Sequence, residues 1–286
     1  MNNICPQLVG TSPVILALKE EIARIAPSEA KVLVFGESGA GKEVVARTIH
    51  ALSPRADRPF VPVNCAGLPE TLLESELFGH VKGSFTGAYR DKRGKLELAD
   101  SGTVFLDEIG EMTLRMQGML LRFLETGELQ RVGTDRAESV INVRVVSATN
   151  RRLEDLIRRG EFRDDLFYRL NVVHFTVPPL RERKADIPLL VDHALGRWAG
   201  VDGYLVRRLE TAAVQALCEY PWPGNVRELQ NVIERLVVTG RHEVVRFQDL
   251  PAEFRTGHST ALPRRSAAGR SPTISTSASS KTVSRF

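Results

Sequence analysis

The sequence predicts an α/β fold: a parallel sheet with helices on both faces, then a small all-helical domain and a polar tail. Three observations carry that expectation. Between Lys31 and Pro179, short runs of β-forming residues alternate with segments of helical period, the pattern of a parallel sheet whose crossovers cover both faces. After Pro179 the strand-like runs stop and three helical patterns follow one another. From Thr256 the chain turns to Ser, Thr and scattered Arg, with no apolar period. The implied units are 1–179, 180–250 and 251–286. The last is read as disordered, because it cannot bury enough apolar surface to offset its ordering entropy.

Each element has its own signal. "KVLVFG" (31–36) is a β-forming run closed by glycine, and "KEVVARTIHAL" (42–52) spaces Val45, Ile49 and Leu52 as a helix does. "FVPVNC" (60–65), "GTVFLDE" (102–108) and "INVRVVSATN" (141–150) read as further strands. "NVVHFTVPPL" (171–180) reads as a fifth, stopped by two prolines. In the second unit, Asn225 and Glu228 have the spacing of a capping box, so the last helix starts there. Val226, Leu229, Ile233 and Leu236 then make one apolar stripe, with Arg227 off it.

The bulk numbers exclude several classes. No apolar run approaches the ~20 residues that cross a bilayer, and "MNNICPQLVG" lacks the regions of a signal peptide. Cys5, Cys65 and Cys218 lie far apart with no CxxC pair, so neither a disulfide framework nor a zinc site is suggested. A reducing cytoplasm fits, with no membrane partner. The net charge of +4 belongs to the tail. Residues 256–286 hold five basic and no acidic groups, leaving 34 basic against 35 acidic before them. Composition therefore gives no sign of a basic nucleic-acid surface on the folded part.

The chemistry gathers in short motifs. "GESGAGKE" fits G-x-x-x-x-G-K between a strand and a helix, the context in which backbone N–H groups and a lysine cradle phosphates. Gly36, Glu37, Ser38, Gly39, Ala40, Gly41, Lys42 and Glu43 are the candidate nucleotide-binding stretch. Glu43 stands where most such loops place a Ser or Thr hydroxyl on Mg²⁺, which argues against ordinary P-loop kinases and small GTPases. Asp107 and Glu108 close an apolar strand 65 residues beyond Lys42. At the carboxyl end of a parallel strand, Asp107 is placed to hold Mg²⁺ and Glu108 to act as general base. Asn150, ending the next strand, is placed to sense a γ-phosphate or orient water. Asn64 ends the second strand and is equally a turn-former. Arg163 and Arg169 either pair with Asp164 or Asp165, or serve a neighbouring subunit's nucleotide. Spacing does not choose between these. The hexapeptide Gly83, Ser84, Phe85, Thr86, Gly87 and Ala88 is a glycine-bracketed turn with an aromatic at its tip, either a buried corner or a contact surface.

Taken together, "GESGAGKE", "ELFGHVKGSFTGA", "GTVFLDEIGEM", "SATN", "FRDDLFYRLNV" and "WPGNVRELQN" resemble the central AAA+ domain of bacterial enhancer-binding proteins. These are the transcriptional activators of sigma-54 RNA polymerase. The likeness runs from about Leu8 to Leu250, with the motifs in family order. It implies an AAA+ sheet with a helical lid, and a ring ATPase, usually a hexamer, of identical chains or mixed with a partner subunit. It implies ATP and Mg²⁺ as ligands, with Lys42 on phosphate, Asp107 on Mg²⁺ and Glu108 activating water. Asn64 would pair with Glu108 and switch with nucleotide state. Arg163 and Arg169 would act in trans, Asn150 would be a first sensor, and Arg227 a second within its own subunit. Glu43 is common in this family.

The resemblance also implies that the hexapeptide contacts the sigma-54 holoenzyme near the ring's pore through Phe85 and Thr86, with Ser84 replacing the usual Ala. No helix-turn-helix pattern follows the lid, so direct DNA binding by this stretch is not expected. With about ten residues ahead of the ATPase domain, control is expected in trans. An AAA+ remodeller of another protein or nucleic acid, and a non-catalytic ring partner, are the competing readings. The hexapeptide argues against the first, and Lys42 with Asp107 and Glu108 against the second.

Overall fold

The computed structural model describes residues 8–85, 87–134, 139–198, 205–206 and 208–255. Thr86 of the hexapeptide and the tail 256–286 lie outside the described residues.

Five strands form one sheet: β1 (Val32–Phe35), β2 (Phe60–Asn64), β3 (Thr103–Asp107), β4 (Arg144–Thr149) and β5 (Val173–Thr176). Their spatial order is β2-β3-β4-β1-β5, and every pairing is parallel. β4 is buried along its whole length and β1 and β3 almost so, as expected for strands covered on both faces. One face packs Leu33, Leu106 and Val145 against Leu77, Leu120, Leu156 and Leu166. The other packs Val34, Phe105 and Val146 against Ile15, Ile22, Val45 and Ile49. Two strands are shorter than their apolar runs suggest. β4 begins at Arg144 rather than Ile141, and β5 ends at Thr176, since the prolines that follow have no N–H for the ladder.

Three features went unread in the sequence. A helix, Pro13–Ile25, precedes β1 and buries Ile15, Leu18 and Ile22. Gly79–His80 pairs antiparallel with Lys92–Arg93, framing the hexapeptide. Glu128–Leu129 pairs with Ser139–Val140 in a second hairpin.

Beyond β5 the chain builds its own core around the fully buried Trp222, with Ile187, Leu217, Leu229 and Ile233. Trp222 donates its indole N–H to Leu217 O at 2.8 Å and meets Tyr220 and Phe254 at ring separations of 5.1 and 5.3 Å. This unit is not purely helical, because Arg208–Leu209 and Val244–Val245 form a two-residue parallel pair. The capping-box reading also needs correction. The helix does span Asn225–Thr239, but its cap is Gly224. Glu228 accepts the Gly224 N–H at 2.8 Å, while the Asn225 side chain is committed elsewhere. The helical unit grips the N-terminal segment through Asp186, whose carboxylate accepts Thr11 N–H, Ser12 N–H and the Ser12 hydroxyl at 2.6–2.7 Å.

Candidate nucleotide site

The carboxyl ends of β1 to β4 converge on one point, where parallel-sheet folds place their ligands. β1 runs into Gly36, and the loop to Gly41 leads into the helix Lys42–Ala51. Lys42 is buried, and its Nζ donates to Gly36 O at 3.0 Å and to Glu108 Oε1 at 3.2 Å. The other oxygen of Glu108 accepts the Asn150 backbone N–H at 3.2 Å. One carboxylate thus ties the P-loop lysine to the end of β4. Glu108 holds a left-handed backbone at φ 53°, a strained conformation for a residue with a Cβ and a frequent one at functional sites.

Asp107 stands beside it, half-buried, with Oδ1 accepting the Glu108 N–H at 3.0 Å. Burial first, and then the Glu108 charge, raise its carboxyl above the usual Asp value, while Lys42 works against them. Burial likewise pushes the Cys65 thiol up, with Asp107 and Glu108 adding to the shift, so Cys65 packs as an inert side chain.

Lys42, Asp107 and Glu108 line a cavity of about 220 Å³ with Ser38, Gly41, Arg227 and Gln230. Arg227 reaches it from the lid and donates to Ser38 Oγ at 3.0 Å. Gly39, at φ 74°, touches the lid so closely that an added Cβ would fall 2.3 Å from Gly224 O. A larger cavity of about 420 Å³ opens beside β5 between Phe35, Phe167 and His174. It is lined by Thr149 and Phe167 and by charged side chains from Arg151 to Arg158, but by neither the P-loop lysine nor the Asp107–Glu108 pair.

The remaining expected site residues sit less simply. Among the described residues the hydrogen bond of the Asn64 side chain goes to its own turn, with Oδ1 accepting the Ala66 N–H at 2.8 Å rather than meeting Glu108. Asn150 meets Glu108 through its backbone. Glu43 lines the cavity yet pairs with Arg47 one helical turn on, at 2.7 Å. Arg163 caps the helix Asp164–Leu170 and pairs with Asp165 at 2.7 Å. Arg169 donates to Leu124 O at 3.1 Å. Neither arginine lines this chain's own cavity.

Gly83 and Gly87 both take left-handed backbones, and Gly83 N–H donates to Ala88 O at 2.8 Å. Phe85 is half-buried, edge-on to His80 at 4.9 Å, and His80 Nδ1 meets Ser75 Oγ at 2.7 Å. Phe85 is therefore neither a core corner nor a free tip. The turn docks on the second hairpin through Val81 N–H to Val132 O and Val132 N–H to Gly79 O, at 3.1 and 3.0 Å.

Sequence reasoning missed Arg181, Arg183 and Asn225. Arg181 grips Glu37 with two bonds of 2.8 and 2.7 Å. The alternating arginines of "PLRERK" were the available signal, and "PPL" hid it by reading as the end of a strand.

A parallel sheet of this order, a phosphate-type loop, paired carboxylates ending β3 and a helical lid define a P-loop ATPase of the AAA+ class. Residues 8–176 match the sigma-54 interaction domain, and residues 181–267 the AAA+ ATPase lid domain. The transcriptional regulatory protein ZraR of Salmonella typhimurium is 51% identical over 244 residues, 85% of this chain and 55% of that protein. Crystal structures of NtrX from Brucella abortus superpose with TM-scores of 0.78 in complex with ADP and 0.77 in complex with ATP. Both are 40% identical, covering 86% and 87% of this chain and 56% and 57% of theirs. The chain belongs to the sigma-54 interaction domain family of AAA+ ATPases, and it spans about half the length of the curated relatives it matches. Among the described residues no helix is long and apolar enough to cross a membrane.

Proposed function

We propose that this chain binds and hydrolyses ATP and uses the energy to remodel the sigma-54 RNA polymerase holoenzyme for promoter opening. The observation that carries the reading is the Lys42–Glu108–Asn150 cluster at the strand ends, in a chain whose α/β part matches the sigma-54 interaction domain.

Glu108, held by Lys42, is a base kept in check by a cation. When Lys42 Nζ turns to phosphate oxygens, Glu108 is released to take a proton from water while Asn150 N–H keeps it oriented. General-base help of this kind contributes roughly 10²- to 10⁴-fold. The residues also fit Mg²⁺. Among the described residues no three His, Cys, Asp or Glu side chains form a cage, and Mg²⁺ characteristically takes one or two carboxylates plus substrate phosphates. Asp107, its charge disfavoured until a cation is near, is the carboxylate that would hold it, and the ion would neutralise charge developing on the phosphates.

Arg163 and Arg169, both exposed and outside their own cavity, are suited to reach a neighbour's nucleotide in a ring of such subunits. The hexapeptide, with Phe85 and Thr86, is the contact to sigma-54, and the bacterial cytoplasm is where these partners meet.

The decisive experiment traps the chain with ATP and a transition-state analogue and asks for a stable complex with sigma-54. We expect a complex, its loss on Thr86→Ala with hydrolysis retained, and loss of hydrolysis on Glu108→Gln. Healthy hydrolysis without any complex would sink the reading in favour of a remodeller of another substrate.

A further inference from the structure

We infer that Asn225 is a positioning residue for nucleotide: from the lid, it sets the direction of the phosphate-binding backbone. The inference rests on the ATP reading above.

Asn225 is fully buried and holds a left-handed backbone at φ 55°. Its Oδ1 accepts the Leu180 N–H at 2.8 Å. Its Nδ2 donates to Ser38 O and to Glu37 Oε2, both at 3.1 Å. All three partners lie far away in sequence, so the side chain joins the start of the lid, the lid helix and the P-loop at one point.

It does not act alone. Arg227 N–H donates to Gly39 O at 3.3 Å, and the buried Arg183 donates to Ala40 O at 2.7 Å. The carbonyls of three successive P-loop residues are thus held from the lid side. A trans peptide unit is planar, with its C=O and N–H pointing opposite ways. Holding Ser38 O and Ala40 O toward the lid therefore turns the N–H groups of Gly39 and Gly41 the other way. Oriented N–H groups of this kind are what bind phosphate oxygens. Lid and phosphate grip become one mechanical unit, with the Asn225 side chain reaching both the loop backbone and its Glu37 carboxylate.

Asn225→Asp isolates this role. Aspartate keeps the oxygen that accepts Leu180 N–H, loses both donors and sets a carboxylate against Glu37. Leaving buried partners unpaired should weaken binding of a fluorescent ADP probe, and of ATP in competition with it, by about ten- to a hundredfold. Adding Glu37→Gln supplies an amide donor to the new carboxylate and should restore at least about tenfold of the loss. A purely structural defect would give no such rescue.

N225D binding within about twofold of the unaltered chain, or a loss that E37Q does not rescue, would overturn the inference. If N225D fails to fold, Arg181→Gln decides. This variant is at an exposed pair and should weaken the probe by about three- to tenfold by removing two of the bonds that hold Glu37, and an effect below about twofold would overturn the inference. No binding by the unaltered chain would overturn the ATP reading and this inference with it. Normal binding beside an unimpaired N225D overturns the inference alone.

Discussion

Replacing Ser84 with alanine tests how the hexapeptide turn is held. Ser84 Oγ is buried and has no hydrogen-bond partner among the described residues. Its Cβ lies against Gly133 of the second hairpin, where an added Cβ would come within 2.5 Å of it. A buried hydroxyl without a partner costs about 1–3 kcal/mol. Removing one oxygen leaves a void of roughly 10–15 Å³, worth about 0.3 kcal/mol at ~24 cal/mol per Å³. The docked arrangement should therefore gain about 1–2 kcal/mol, or five- to thirtyfold in its equilibrium constant.

The assay is amide exchange at Val81 and Val132, whose N–H groups make the two bonds between the hairpins. Both should exchange about five- to thirtyfold more slowly in S84A. Gly133→Ala should do the reverse, because its new Cβ has no room beside Ser84. Unchanged or faster exchange in S84A would refute the reasoning. It would mean that the hydroxyl has a partner, or that the hairpins do not open as a unit. If the turn must leave Gly133 to meet sigma-54, S84A should also form less trapped complex at limiting ATP.

Two further outcomes follow from the site. Asp107 has a carboxyl raised by burial and by Glu108, so its stabilising contribution is full below its unfolded pKa and is lost as pH rises through the folded one. Asp107→Asn should accordingly melt higher than the unaltered chain at neutral pH, with the difference vanishing below the usual Asp range, while Mg²⁺-dependent hydrolysis is lost; an equal or lower neutral-pH midpoint would refute this. Arg163→Ala should lower hydrolysis by roughly 10³-fold or more if the arginine serves a neighbour's nucleotide. Mixing it with Lys42→Ala, equally inactive alone, should recover activity, because one interface then has an intact lysine facing an intact arginine. A mixture as silent as its parts would rule out the trans role.

The α/β class was legible because its signals are local. β1, β3 and β4 announce themselves as continuous apolar runs, and glycine with lysine marks the turn out of β1. The same holds for Asp107 and Glu108, adjacent at a strand end. What local pattern could not show was which of several possible partners a polar side chain would choose. Asn225 had the spacing of a cap, yet its amide goes to Glu37 and Ser38, 188 and 187 residues away. Asn64 had the position of a switch, yet in this geometry it closes a turn two residues on. Arg163 takes the nearest carboxylate. Periodicity reports burial, which is a property of one residue. Hydrogen bonding is a property of pairs, and those pairs exist only after the sheet order is set.

That distinction bears on how the two ends of the molecule communicate. Glu108 directly follows β3, whose neighbours are β2 and β4, and Asn64 is paired in register with Asp107. From the end of β2 the chain leads through the helix Glu70–Phe78 directly to Gly79–His80. His80 is the ring on which Phe85 rests. If the proposed function holds, the connection from Lys42 to the hexapeptide would need only β3, its neighbour β2 and one helix. A second set of contacts joins the P-loop to the lid, by way of Asn225, Arg227 and Arg183. A side chain that breaks the first path should spare nucleotide affinity and lose the partner. One that breaks the second should do the opposite, so the two routes are separable by measuring binding and complex formation on the same variants.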